Sequence, residues 1–297
     1  ICKASNELII CSAYIKENAI KNLLKNVSSD VSVSIIARWE KRDLIMGASD
    51  LEVYSWCQSH GYRFGINSNL HAKLYMIDQN LIFMGSANLT HRGLSISGAG
   101  NVEIGTCIVP EDADLKKLME FINNDVKWVD QGLFDLISSE ISEVEPASNS
   151  FDDHAWSENI LAKLNSDVEC LWVNELFMGG PENIIKNDLD DQNTVNDLEL
   201  LNLDTDDLST EKIKQSFVKT RLYYWLVSRI GYDNEVSFGW LTKQLHNALL
   251  DDVTPYRREV KDFIAVIFQW FKFMPDIFEI RKYNHSETVI IKKRSKS

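Results

Sequence analysis

Four chemistry-bearing residues fall within one short stretch. His71, Ala72 and Lys73 are followed by four residues, Asp78, six residues and then Gly85-Ser86-Ala87-Asn88. Side chains alternate along an extended strand, so His71 and Lys73 share one face while Ala72 and Leu74 take the other. Asp78-Gln79-Asn80 reads as a hairpin turn. The returning strand then ends at Gly85, beside the start of the first. Ser86 and Asn88 fall on a tight turn next to the imidazole, where glycine lets backbone approach a phosphate closely. The result is an imidazole able to attack, an ammonium, a hydroxyl and a carboxamide around one pocket.

The spacing H-x-K-x4-D-x6-G-S-x-N resembles that of the phospholipase D superfamily. Leu8–Tyr14, Gly47–Val53 and Leu89-Thr90 are similar to a prokaryotic, nuclease-like branch of those phosphodiesterases. The resemblance runs from about Glu7 to Phe121, less than half the chain. It implies that His71 attacks phosphorus to give a phosphohistidine and that Lys73 and Asn88 donate to the equatorial oxygens, with the Ser86 hydroxyl beside them. Gly85 and Arg38 are expected against substrate, and Glu103 is the candidate acid to orient the imidazole. Asp78, counted with the catalytic set, reads rather as a turn residue or one acting through a neighbour. The resemblance implies no metal and no cofactor. A second histidine must protonate the leaving oxygen, yet no other histidine has Lys two positions on. The second His71 is therefore expected from a partner chain across a two-fold axis, in a homodimer.

The elements that must hold this motif alternate. Leu8–Tyr14, Val31–Ile36, Tyr62–Ile66, Leu70–Ile77, Leu81–Met84 and Val102–Val109 read as strands. Asn18–Val27, Asp50–His60 and Pro110 to about Phe121 read as helices. This predicts an α/β fold, a mixed sheet sandwiched by helices and phospholipase-D-like, over residues 1–145. Residues 146–208 read as an acidic connector. Pro146–Ser150 is its linker, Leu171–Val173 is one more candidate strand, and Asp188–Asp207 is a solvated loop with eight acids and no Lys or Arg. Residues 209–297 read as mostly helical and resemble a winged helix. Helices are expected over Thr210–Ile230, over Phe238–Leu250 and from Thr254-Pro255 to about Phe273, then a hairpin of Phe278–Tyr283 and Thr288–Lys293 joined by Asn284–Glu287.

The formal net charge is -13, but Thr210–Ser297 carries sixteen Lys/Arg against ten Asp/Glu. Screening over about 8–10 Å lets such a segment meet a polyanion despite the overall sign. Arg281, Lys282, Lys292 and Lys293 are its candidate phosphate contacts, and the Lys292-Lys293-Arg294 tail is equally readable as solvated. Nucleic acid, DNA favoured, is the expected partner, with a regulatory protein left open. Five well-separated cysteines without a C-x-x-C pair read as reduced thiols of a cytoplasmic protein. No apolar run reaches the roughly 18 residues of a membrane span, and what precedes Ile1 is left open. The expected activity is that of a nuclease in restriction or phage defence. The alternatives are a phospholipid phosphodiesterase and a non-catalytic DNA-binding or sensor protein. Arg38 and Trp39 are read as rimming the pocket or capping a sheet edge, His91 and Arg92 as a phosphate contact or a solvated turn. Asp152-Asp153-His154 is read as surface.

Overall fold

The computed structural model describes residues 1, 3–96, 100–143, 156–203, 205, 208–250, 257–283 and 286–293, the side chain of Arg257 excepted. The chain divides into two compact units, Ile1–Leu164 and Asn165–Ser297.

The first unit is built on β1 (Glu7–Ser12), α1 (Glu17–Leu24), β2 (Ser32–Ala37), α2 (Lys41–Ile45), α3 (Glu52–Ser59), β3 (Arg63–Ile66), β4 (Lys73–Ile77), β5 (Leu81–Gly85), β6 (Gly105–Ile108), α4 (Asp112–Asn124), β7 (Lys127–Trp128), α5 (Gln131–Ser142) and α6 (Glu158–Leu164). The seven strands form one sheet in the order β6-β5-β4-β1-β2-β3-β7. Pairing of β1, β2 and β3 is parallel, and every other pair is antiparallel. Alternation along β1 explains the layers. Leu8 and Ile10 join one core with residues of α1, α3, α5 and α6, whereas Ile9 and Cys11 join another that includes Leu118 and Ile122 of α4. Both sheet faces are therefore covered, as a sheet with parallel strands requires.

Register decides which residues meet. Ser12 lies opposite Lys73 on one side and Ala37 on the other, and Gly85 lies opposite Gly105. The carboxyl ends of β1, β2 and β5 thus share one sheet end with the amino ends of β4 and β6. The β4–β5 turn lies at the other end. Asp78 and Gln79 adopt φ of 49° and 56°, and Asn80 N donates to Ile77 O at 3.1 Å. Two successive positive φ values suit the right-handed twist of a tight hairpin, and Asp tolerates that region.

The second unit comprises α7 (Pro181–Ile185), α8 (Gln192–Leu201), α9 (Thr210–Phe217), α10 (Arg221–Ile230), β8 (Glu235–Ser237), α11 (Phe238–Ala248), α12 (Arg257–Phe273), β9 (Phe278–Tyr283) and β10 (Ser286–Ile291). Its antiparallel sheet has the order β8-β10-β9. Several expectations need correction. The stretch from Asp188 is not a solvated loop, because α8 occupies its centre with Thr194, Asp197, Leu198 and Leu201 buried. Asp197 accepts from Met178 N at 2.8 Å and Gly179 N at 2.7 Å, and burial pushes its carboxyl up to about 6. From Asn165 on, the expected connector is part of this unit; its Pro146–Ser150 linker and Asp152–His154 lie outside the described residues. Leu171 makes a single bridge to Leu249 instead of a strand. The expected Thr210–Ile230 helix is two, since the Thr220 hydroxyl caps α10 by accepting from Tyr223 N at 3.3 Å. Thr254-Pro255 lies outside the described residues.

An aromatic cluster centres this unit. Phe177, Phe217 and Trp270 have ring centroids 4.3 to 5.3 Å apart, and Trp270 Nε1 donates to Gly179 O at 3.0 Å. The apolar run of α12 serves the same core, with Ile264, Ile267 and Phe268 buried. That face is used within the unit and is not offered to a second copy. Phe217→Ala should cost about 3–5 kcal/mol, the usual range for emptying a packed aromatic site. Urea denaturation followed by tryptophan fluorescence checks this, and an unchanged midpoint would contradict the packing described.

Candidate active site

His71 is exposed, just ahead of β4, and Lys73 opens that strand. Lys73 Nζ lies 3.2 Å from His71 Nε2 and donates to His71 O at 2.7 Å. An ammonium has donors only, so in this contact Nε2 is the acceptor. Nε2 thus keeps its lone pair. Burial depresses the Lys73 pKa, nearby Arg38 depresses it further, and Glu103 opposes them.

Asn88 and Ser86 reach the same sheet end from the turn after β5. Asn88 Oδ1 accepts from Tyr14 N at 3.3 Å and sits 3.4 Å from Ser12 Oγ. The buried Ser12 hydroxyl accepts from Leu89 N at 2.9 Å and donates to Tyr14 O at 2.8 Å. With its oxygen engaged, the Asn88 carboxamide has its NH2 free to donate elsewhere. The following turn packs back on it, where a Cβ at Gly93 would fall 2.3 Å from Asn88 O. His91 and Arg92 belong to that turn.

Glu103 is brought to the site, but to Ser86 and not to His71. Ser86 Oγ donates to Glu103 Oε2, and Asn101 Nδ2 donates to Oε1 at 3.1 Å. Those bonds, the one from Ser86 first, hold the Glu103 carboxyl below its usual range. Gly85 has a structural reason to be glycine, since a Cβ would fall 2.5 Å from Ile104 O and 2.9 Å from Gly105 Cα. It lets β5 and β6 close up.

Arg38 is clamped at the end of β2. Its Nε and Nη2 donate to buried Asp43 at 2.8 and 2.7 Å, and Nη2 also donates to Tyr14 Oη at 3.1 Å. The Asp43 bond, ahead of the opposing effect of burial, raises its pKa further. Trp39 does not rim the pocket. With φ of 44° it turns inward, fully buried, and packs on Phe64 at 4.6 Å. Sequence reasoning missed Ser12, Tyr14 and Asp43; a serine inside an otherwise apolar strand was the one visible signal.

Asp78 does not join the pocket. At the opposite end of β4, its carboxylate accepts from Ser5 N at 2.9 Å, Asn6 N at 2.8 Å and Glu7 N at 2.8 Å, clasping the β4–β5 turn to the start of β1. The candidate phosphate contacts of the second unit are mostly engaged. Arg281 pairs with Glu279 at 2.7 Å and Glu235 at 3.1 Å, Lys292 donates to Pro275 O at 2.7 Å, and Lys293 pairs with Asp233 at 3.0 Å. Lys282 is exposed. Arg294 lies outside the described residues. Among the described residues no group of three or more His, Cys, Asp or Glu is placed to hold a metal ion, and no helix is long and apolar enough to cross a membrane. The described cysteines, Cys11, Cys57, Cys107 and Cys170, are free thiols, and burial pushes Cys11 and Cys57 up to about 12.

Residues 1–126 match the protein family described as "Cardiolipin synthase, PLD-like domain". The chain is 37% identical over 78 residues to a DISARM protein, DrmC, of Bacillus paralicheniformis, a match covering 26% of this chain and 29% of that protein. Among solved structures it is similar over 43% of its length to Nuc from Salmonella typhimurium, a phospholipase D family member (17% identity, 84% of that chain, TM-score 0.35). NucT from Helicobacter pylori (14% identity, 85% of that chain, TM-score 0.29) and the phosphatidylserine synthase of Haemophilus influenzae (18%, 34%, TM-score 0.30) align over the same share.

Three backbone donors hold the Asp78 carboxyl below its usual range. A depressed folded-state pKa means stability that is present above the unfolded value, about 3.9, and lost as pH falls through the folded one. Asp78→Asn should therefore melt at a lower temperature than the parent chain at neutral pH, with the gap closing below about pH 3.9. Calorimetry across that range checks it; a gap independent of pH would mean the carboxylate charge does not hold the clasp.

Proposed function

We propose, from the match of residues 1–126 to a phospholipase-D-like family, that the chain is a metal-independent phosphodiesterase that cleaves nucleic acid, DNA in preference, as a homodimer acting through a phosphohistidine. The observation that carries this reading is the convergence of His71, Lys73, Ser86 and Asn88 at one sheet end, with Lys73 Nζ against His71 Nε2. Nε2 attacks phosphorus and the bond to the leaving oxygen breaks. Lys73 and Asn88 donate to the phosphoryl oxygens as charge builds there. The leaving oxygen takes a proton from the His71 of a second copy, which then removes one from water as that water cleaves the N–P bond. Arg38, fixed by Asp43, is a substrate contact at the rim, and Glu103 holds the Ser86 hydroxyl.

The second copy has a suitable surface. β6 is an edge strand. Around it Val102 is fully exposed, Ile104 is 82% and Val109 77% exposed, and Phe83 lies beside them. Such an apolar strip on an unpaired edge is the kind that monomeric proteins cover. It continues from Glu103 and Ser86, so a copy seated there lies next to the pocket. Nucleic acid as substrate is supported by the second unit, whose helix–strand–helix–helix–strand–strand succession from α10 and sheet order β8-β10-β9 fit a winged-helix reading, and by the positive surplus of Thr210–Ser297. The similarity to a DISARM protein supports a setting in restriction or phage defence. A phospholipid phosphodiesterase is the second reading, because the same apolar strip fits the surface of a lipid bilayer.

His71→Ala should lower cleavage by about a thousandfold or more, while the parent chain keeps its rate in excess EDTA. Assays on DNA, RNA and phospholipid vesicles decide the substrate class. Cleavage of vesicles alone would transfer the assignment to lipid, and strict magnesium dependence would sink the histidine mechanism. Ile104→Asp with Val109→Asp should give a monomer on sedimentation and an inactive chain. A variant that stays dimeric would place the interface elsewhere.

A further inference from the structure

We propose that the groove between α11 and α12 is a non-catalytic site for the sugar-phosphate backbone of the nucleic acid, and that this groove, in place of the β9–β10 hairpin, holds the substrate on the second unit. The inference rests on the nuclease reading above and adds where the polymer is gripped.

The groove is about 620 Å3 and is lined by Gly239, Thr242, Lys243 and His246 of α11 and Lys261 of α12. Lys243 and His246 lie one helical turn apart on the exposed stripe of α11. A Cβ on Gly239 would meet nothing within 4 Å, so the α11 backbone is open to close approach at that point. Thr242 is buried, with its hydroxyl donating to Phe238 O at 2.8 Å. It gives the groove a rigid floor and keeps its proton inward.

Charge availability separates this groove from the hairpin. Lys243 and Lys261 make no ion pair among the described residues. In the hairpin region Arg281 and Lys293 are paired with Glu279, Glu235 and Asp233 and Lys292 is held to a carbonyl, which leaves Lys282 as the exposed cation there with no bound partner among the described residues. A neighbouring cavity of about 720 Å3 is lined by Arg229, Asn234, Glu235 and Trp240. It holds the Glu235 carboxylate together with the Arg229 guanidinium, so its charges are of both signs, unlike those of the groove. Asp262, the exposed acid next to Lys261 on α12, makes no ion pair with either lysine among the described residues.

The ligand class follows from exposure. A small anion gains little from solvated ammoniums, because water and salt screen each pair. A polyanion gains through counterions released as each phosphate is neutralised. Two lysines without ion pairs among the described residues, on two packed helices and with His246 one turn from Lys243, therefore suit a phosphodiester chain. The amino-terminal part of α12 is the part available to it. Further along, Gly180 lies against Gln269, where a Cβ on the glycine would fall 2.1 Å from Gln269 Oε1.

The test uses the full chain carrying His71→Ala, so that substrate survives, and a labelled DNA duplex titrated at two salt concentrations. Lys243→Ala with Lys261→Ala should weaken binding about tenfold and make the slope of log K against log salt shallower by about 1.8, two contacts at about 0.9 each. Lys3→Ala with Lys25→Ala, an equal loss of exposed charge in the first unit, should do neither. Circular dichroism confirms that each variant is folded. Unchanged affinity and slope in the groove variant overturn the proposal, as does an equal loss in the control, or a loss confined to Arg281→Ala with Lys282→Ala. Absence of DNA binding by the parent chain also overturns it. Cleavage by the chain with His71 intact is read separately, so the groove can fail while the nuclease reading stands.

Discussion

The pairing of β4 with β1 sets Lys73 opposite Ser12, and the site depends on that register. Side chains on a strand alternate, so a slip of one residue would turn His71 and Lys73 to the face now taken by Ala72 and Leu74. The register is pinned far from the chemistry. Asp78 gathers the backbone amides of Ser5, Asn6 and Glu7, which locks the end of β4 to the start of β1. At the near end the Ser12 hydroxyl ties β1 to the turn that carries Asn88. A residue outside the pocket and one beneath it thus decide where the reactive groups stand.

The candidate site groups were legible in the sequence because they are close in the chain and chemically distinctive. Their supports were not. Ser12 and Asp43 act through hydrogen bonds to residues 76 and 5 positions away, and only the serine, set in an otherwise apolar strand, stands out where it is. Glu103 shows the limit of spacing arguments: a strand position places a carboxylate near the pocket but does not say which neighbour it binds. In the second unit the obstacle was composition. The acids of Asp188–Asp207 concealed the few apolar positions that bury α8, and a count of lysines and arginines in the hairpin says nothing of the carboxylates that face them.

Charge in this protein is a local matter. A chain of net charge -13 still sets Arg38 close enough to Lys73 to lower the pKa of its ammonium. The arrangement holds because Asp43 keeps the guanidinium in place. Over more than a Debye length the remaining acids are screened, so the sign of the whole chain is a poor guide to what one pocket attracts.

The outer edge of β6, which no strand pairs among the described residues, with Val102, Ile104 and Val109 beside it, has a consequence for the life of the chain. A freshly made copy carries a sticky, strand-shaped template until something covers it, and the same surface invites disordered stacking as readily as ordered assembly. For a protein whose reaction is proposed to need two copies, turnover at low abundance would rise with the square of the amount synthesised. Dilute chains would be idle and prone to clump, and output would climb sharply once neighbours become common. On that proposal, dosage alone would set a threshold on the activity.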